Sequence, residues 1–247
     1  MLIGLFVRDE KQFDKFITDG DRVHRIYYQI TSPEGTSNIA TTPPMFTTAL
    51  QQQFPEVDKT LRILNHQSKE LVEVGDKKLY EEQGLFSEPA FFDFFPLKMK
   101  YGSSVEALKE PASIVISNEM AERYFGNEDP VGKEVIFDKE PLQVKAVFYN
   151  NPKFHLPVNY IIPLALIGLP KERLESWEWY GFNNYIKLKE GVDANSLQTK
   201  FQNYAQPFIG GEGASSKPWF QPLGNIHLHS ADFKYDASIR GNITYVK

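Results

Sequence analysis

The sequence contains no cysteine, which excludes a disulfide scaffold and any thiolate metal site. It has no long apolar run either. Nothing reaches the roughly 18 residues that a membrane-crossing helix needs. The longest candidates, residues 1–7 and 160–170, both fall short. Residues 1–7 also fail as a signal peptide. No basic stretch precedes them, and Asp9 and Glu10 stand where a small-residue cleavage site belongs. Basic charge is scarce: Lys and Arg number 27 against 32 Asp and Glu, with no Lys/Arg-rich run, so a nucleic-acid partner is not expected. A Gly-x-x-x-x-Gly-Lys-Ser/Thr phosphate loop is missing as well.

What is present suits a folded core. Hydrophobic residues make up 41% of the 247 positions and aromatics 14%, which excludes disorder and allows one large domain or two small subdomains. Both ends read as cut. Leu2-Ile-Gly-Leu-Phe-Val7 resembles the last turns of an apolar helix, and Asn242-Ile-Thr-Tyr-Val-Lys247 stops as an apolar pattern begins. The expectation is a fragment whose gene continues at each end into an apolar segment of about 20 residues.

Periodicity divides the chain into three blocks. In the first, residues 9–19 read as a short amphipathic helix, 22–31 as a strand, and 43–54 as a helix capped by Thr42 with Pro43 and Pro44 at its start. Residues 58–65 and 70–74 read as strands. The second block starts near Gly84. Its Pro-Ala-Phe-Phe-Asp-Phe-Phe run at 89–95 reads as a short buried helix, and its strands are 112–116, 134–137 and 142–149. The third block has a strand at 184–189, a helix at 194–205 and a final strand within 219–228. Strand–helix–strand thus occurs at both ends around an insertion, and two such units pack as one sheet with helices on one face.

The most informative stretch is Ile114-Val-Ile-Ser-Asn-Glu-Met-Ala-Glu-Arg-Tyr-Phe-Gly-Asn-Glu-Asp-Pro-Val-Gly-Lys133. Ser117 is a good N-cap and Glu119 suits the first helical turn. Met120, Ala121, Tyr124 and Phe125 form an apolar stripe. Gly126 stops the helix, and Asp129-Pro130 with Gly132 turns the chain into a new strand.

This pattern, Ser-x-x-x-Ala-x-x-x-Phe-Gly-x-x-Asp-Pro-x-Gly-Lys, resembles the extracytoplasmic core domain of MacB-like and FtsX-like ABC-transporter permeases. Four flanking segments resemble the same family in the same order. Glu10-Lys-Gln-Phe-Asp-Lys-Phe16 with Asp21-Arg-Val-His-Arg-Ile26 resembles its entry segment. Phe92-Asp-Phe-Phe-Pro-Leu97 with Glu110-Pro-Ala-Ser-Ile-Val115 resembles its central lead-in. Val147-Phe-Tyr-Asn-Asn-Pro-Lys-Phe-His-Leu156 resembles a Gly-Val-x-x-x-x-Pro-x-x-Ser-His segment, with Ala146 for the glycine and Phe154 for the serine. Ile226-His-Leu-His-Ser230 resembles the closing segment.

The resemblance implies an α+β fold in four parts. These are a juxtamembrane entry segment (1–20), a porter-like α/β subdomain of two strand–helix–strand units (21–84 and 171–232), an inserted β-rich, sabre-like subdomain with short helices (85–170), and an exit segment (233–247). It implies a non-catalytic domain on the periplasmic side of a bacterial inner membrane, without cofactor or metal, passing on conformational change driven by ATP. The implied partners are a cytosolic ABC ATPase, fused or separate, a second permease as homodimer or pair, and a periplasmic adaptor, outer-membrane partner or exported cargo.

The candidate chemistry has bland alternatives. His227 and His229, two apart on an expected strand, share a face and suggest half a metal site, but surface histidines explain them better. His155 follows a proline turn and reads as a hydrogen-bonded loop histidine. A soluble hydrolase using His155 or His227 is the rival reading, and a ligand-binding or adhesion module is another. Ser117 lacks a Gly-x-Ser-x-Gly elbow. The pairs Asp19 with Asp21 and Glu81 with Glu82 read as solvated charge. Gly210-Gly-Glu-Gly-Ala-Ser-Ser216 reads as a flexible connector. Within Trp177-Glu-Trp-Tyr-Gly-Phe182, the residues Trp177, Trp179 and Tyr180 are the best candidates for a partner contact, with core packing the competing role.

Overall fold

A computed structural model describes residues 2–209 and 215–246. Its strands are β1 (Val23–Ser32), β2 (Gly35–Ile39), β3 (Val57–His66), β4 (Glu70–Val74), β5 (Lys77–Glu81), β6 (Gly84–Ser87) and β7 (Met99–Gly102). They continue with β8 (Ser113–Ser117), β9 (Glu134–Phe137), β10 (Glu140–Phe148), β11 (Tyr160–Pro163), β12 (Asn183–Leu188) and β13 (Ser215–Pro222). The helices are α1 (Leu2–Glu10), α2 (Met45–Gln53), α3 (Phe91–Phe94), α4 (Asn118–Phe125), α5 (Lys171–Leu174), α6 (Ala194–Ala205) and α7 (Ile226–His229). The fold is α+β with a mixed sheet and short helices. The chain forms two units: one of Met1–Arg62, Lys153–Leu156 and Pro170–Lys247, the other of Ile63–Pro152 and Pro157–Leu169. The second unit therefore takes in residues 63–84, and four residues inside the insertion, 153–156, belong to the first.

In the first unit the strand order is β13-β1-β12-β3, with β2 also paired to β1. Side chains alternate across a strand, so the register sorts them into two faces. Ile26 lies opposite Phe220 and shares its face with Tyr28, Ile186 and Leu188. These residues pack on Phe46, Ala49 and Leu50 of α2 and on Leu197, Phe201 and Ala205 of α6. Two amphipathic helices thus close one face by apolar burial. The opposite face carries Arg25, set across from Tyr185 on β12 and from Gln221 on β13.

The second unit builds a mixed sheet. β8 runs parallel to β10 and β6 parallel to β11, while β9, β4 and β5 continue antiparallel to the edge. Ile114, Ile116, Val135, Val144 and Ile162 fill its core with Met120, Ala121 and Tyr124 of α4. Here the expected signals act as read. The Ser117 side chain accepts the Met120 N–H at 3.1 Å. Gly126 ends α4 at φ 65°, the left-handed region that favours glycine. Phe91, Phe92, Phe94 and Phe95 of the run at 89–95 are buried, as its composition required, while Pro89 and Asp93 face solvent.

Five local expectations need correction. Residues 11–16 are turns and not a helix, because α1 ends at Glu10. The break falls at Asp14, held at φ 60° by tertiary bonds, its amide donating to the Lys153 carbonyl at 2.7 Å. Thr42 does not cap α2. It bridges to Phe182, and its hydroxyl accepts from Asn184 at 2.9 Å. Glu81 is 3% exposed and not solvated, because Arg123 of α4 grips its carboxylate at 2.5 and 3.3 Å. His227 and His229 stand on α7 and not on a strand. A single helical turn shows no 3.6-residue period, so Ile226 and Leu228 mimic strand alternation. Of the expected connector at 210–216, residues 210–214 lie outside the described residues, and Ser215 and Ser216 already belong to β13.

Candidate functional site

The sheet face of the first unit opposite α2 and α6 gathers three segments that are remote in sequence. They are the entry segment around Glu10–Asp14, the four residues 153–156, and residues 236–241 of the exit segment. Each is held by buried polar groups.

His155 is fully buried. Its Nδ1 lies 2.8 Å from Asp14 Oδ1 and its Nε2 lies 2.9 Å from the Tyr185 hydroxyl. A carboxylate only accepts, so Nδ1 donates to Asp14, and in the neutral ring Nε2 then accepts the hydrogen bond of the Tyr185 hydroxyl. The backbone N–H of His155 donates to the same Asp14 oxygen at 3.1 Å, and its carbonyl accepts from Ile239 N–H at 2.7 Å. Burial drives the Tyr185 hydroxyl well above its ordinary pKa, so it stays protonated as the donor this chain needs. One histidine thus ties entry segment, sheet and exit segment together. The Asp–His pair has the composition of a catalytic dyad, but it ends on a wholly buried tyrosine.

His227 makes a second tie. Its Nδ1 faces the Ile239 carbonyl at 2.8 Å and its Nε2 faces Glu10 Oε2 at 3.0 Å. Phe13 stacks flat on its ring, with centroids 3.5 Å apart and planes 6° from parallel. Gly241 N–H donates to the His227 carbonyl at 2.9 Å. A Cβ at Gly241 would lie 2.5 Å from the Glu10 carboxylate and 2.9 Å from His227 Nε2, so a side chain there would displace the Glu10–His227 pair.

Arg25 makes the third. Its side chain and that of Asp236 are both 0% exposed, and they pair at 2.9 Å. The guanidinium also donates to Gln221 Oε1 at 2.7 and 3.2 Å, to Ser230 Oγ at 3.0 Å and to Ser238 Oγ at 3.1 Å. Burial alone would raise the Asp236 carboxyl. Arg25 and the Ser238 hydrogen bonds outweigh it and hold the group below its ordinary value.

The other expected residues are dispersed. His229 is exposed, and on a helical turn it points away from His227, so the half metal site disappears. Among the described residues no three His, Cys, Asp or Glu side chains come together as metal ligands. Asp19 is exposed beside Lys187, whose ammonium at 2.8 Å lowers its carboxyl pKa through a hydrogen bond and its charge. Trp177 is half-buried against Phe46 and stacks on Phe208 at 4.5 Å. Trp179 is half-buried, meeting Phe182 edge-on with Arg173 4.5 Å over its ring, and Tyr180 is exposed beside Tyr28. Sequence reasoning missed Arg25. Its signal was a lone cation in Val23-His-Arg-Ile-Tyr-Tyr28, an apolar strand where only a buried partner makes a charge tolerable.

The model of the MacB-like periplasmic core domain matches residues 1–204. The chain belongs to the MacB-like periplasmic core domain family. It is therefore a periplasmic domain of an ABC-transporter permease. A permease domain from Porphyromonas gingivalis is similar at TM-score 0.71 and 22% identity, over 83% of this chain and 91% of that one. The periplasmic region of MacB from Actinobacillus actinomycetemcomitans is similar at TM-score 0.57 and 18% identity, over 82% and 92%. The extracellular domain of YknZ, an ABC-type transporter from Gram-positive bacteria, is similar at TM-score 0.57 and 14% identity, over 81% and 99%. These likenesses concern the fold. No curated protein matches the chain in sequence. No helix among the described residues is long and apolar enough to cross a membrane.

Proposed function

We propose that this domain passes ATP-driven movement from the membrane part of the permease to the periplasm, with the entry and exit segments as its input. The observation that carries this reading is His227, which holds Glu10 of the entry segment and Ile239 and Gly241 of the exit segment at once. A displacement of either segment then reaches the sheet through Asp14–His155–Tyr185 and Asp236–Arg25. The domain is non-catalytic in this reading and relies on a cytosolic ATPase and a second permease. The working parts are the entry segment 1–20, the porter-like subdomain built from 21–84 and 171–232, the inserted block 85–170 and the exit segment 233–247. Trp177, Trp179 and Tyr180 are the proposed contact for an adaptor or cargo.

The test uses the full permease, reconstituted with its ATPase and spin-labelled at Val105, an exposed position in the second unit. Label distances between the two permeases are expected to change on ATP binding. With His227→Ala the ATPase should continue while the distance change is lost. A folded His227→Ala variant that moves like the parent overturns the proposal.

A further inference from the structure

β5 ends the strand order of the second unit, and among the described residues it pairs with no strand but β4. Gly75 and Asp76 join the two strands, and the register runs from Val74 opposite Lys77 to Glu70 opposite Glu81. In a two-residue hairpin the flanking residues exchange hydrogen bonds, and bonded and non-bonded pairs alternate from there. Lys77, Leu79 and Glu81 therefore turn their N–H and C=O groups toward β4. Lys78 and Tyr80 turn theirs outward. A separate contact fixes this parity. Leu71, opposite Tyr80, gives its carbonyl to Asp138 N–H at 3.0 Å, on the side of β4 away from β5.

Open edges are commonly guarded by lysines, prolines or covering side chains. The chain uses such devices on β13 of the first unit. That strand carries Pro218 and Pro222, while Gln198 takes the Phe220 N–H and Gln202 takes the Pro218 carbonyl, each at 2.8 Å. On β5 the lysines are drawn aside. Lys78 pairs with Glu73 on β4 at 2.6 Å, and Lys77 donates to the Arg123 and Tyr124 carbonyls at the end of α4, both at 2.8 Å. Leu79 and Tyr80 are left 41% and 70% exposed on an unguarded edge.

We propose that β5 pairs with β5 of a second copy of this chain, antiparallel about a two-fold axis through Leu79. The edge is complementary to itself in that register. Lys78 of each copy faces Tyr80 of the other, so the outward groups exchange both hydrogen bonds. Leu79 faces Leu79 as the non-bonded pair, where side chains approach most closely. An isologous contact of this kind closes after two copies and leaves no further open edge. One short strand from each copy is far smaller than a standard interface of about 1,200–2,000 Å². The contact is thus suited to copies already held side by side, and for that placement alone the inference rests on the paired permease of the proposed function.

The absence of cysteine from this domain simplifies the test. The full permease carrying Leu79→Cys, reconstituted in a membrane under a mild oxidant, places two thiols on the two-fold axis. It should form a disulfide-linked dimer about ten-fold faster than the permease carrying Val105→Cys, because pairing raises the effective thiol concentration. Val105 is the more exposed of the two, at 69%, so simple collision predicts the opposite order. Adding Lys78→Pro or Tyr80→Pro removes an outward N–H and keeps the hairpin bonds. Either should return Leu79→Cys to the Val105→Cys rate with an unchanged circular dichroism spectrum. Equal rates for the two cysteine variants, or no effect of either proline, overturns the pairing. Neither result touches the transmission reading, which the spin-label distances test separately.

Discussion

Replacing Arg25 with Met should be among the most damaging single changes in the first unit. The side chains of Arg25 and Asp236 are both shielded from solvent, and the guanidinium serves five acceptor contacts. Methionine keeps much of the stem's volume but leaves Asp236 with the Ser238 N–H at 2.9 Å and no facing guanidinium. Breaking a buried pair from one side costs about 3–5 kcal/mol. For a unit of this size each kcal/mol lowers the melting temperature by roughly 2–4 °C, so the fall should be about 6–20 °C. Urea unfolding followed by tryptophan fluorescence gives the stability. Amide exchange at Ser238 and Ile239 tells whether the exit segment loosens. The double variant Arg25→Met/Asp236→Leu removes both charges and should recover most of the loss. Acid gives a second check. The Asp236 pKa is lowered in the fold, so the pair stabilises above the ordinary carboxylate value, about 4, and is lost as pH falls through the lower folded value. Arg25→Met should lack that acid step. A single variant costing under about 1 kcal/mol, or a double variant no better than the single, refutes the charge argument.

Three further outcomes follow from the contacts. Tyr185→Phe keeps the ring but removes the hydroxyl at His155 Nε2, so the first unit should lose about 1–3 kcal/mol in urea unfolding. Gly241→Ala drives a Cβ into the Glu10 carboxylate and the His227 ring, so amide exchange in α1 should accelerate while α6 keeps its protection. Ser117→Ala removes the cap of α4 and should destabilise the second unit by about 1 kcal/mol in urea unfolding.

Local signals made much of the fold legible. The cap at Ser117, the stop at Gly126 and the apolar stripe of α4 are neighbours in sequence, and so are the determinants of α6. Alternation in Leu142, Val144 and Ala146 placed β10 with one buried face. The ties at the candidate site escaped because their partners are far apart: Arg25 and Asp236 are 211 residues from one another, and His227 and Glu10 are 217. Glu81 escaped for the same reason, its partner Arg123 lying on α4. His227 was noticed as a type but placed on the wrong element, since one helical turn is too short to declare its period. His155 was read correctly as hydrogen-bonded, yet its sequence neighbourhood does not reveal that the partner is Asp14.

The two faces of the first unit's sheet differ in what they can transmit. The face under α2 and α6 is held by apolar burial, which is strong but non-directional and tolerates sliding. The face that receives the entry and exit segments is held by hydrogen bonds and a buried ion pair, which fail once donor and acceptor misalign. A buried charge pair adds little net stability compared with apolar packing of the same volume, but each partner fixes the position of the other. In the proposed transmission, the sheet would follow a displacement of either segment through Arg25, His155 and His227, which leucines in the same places would not enforce.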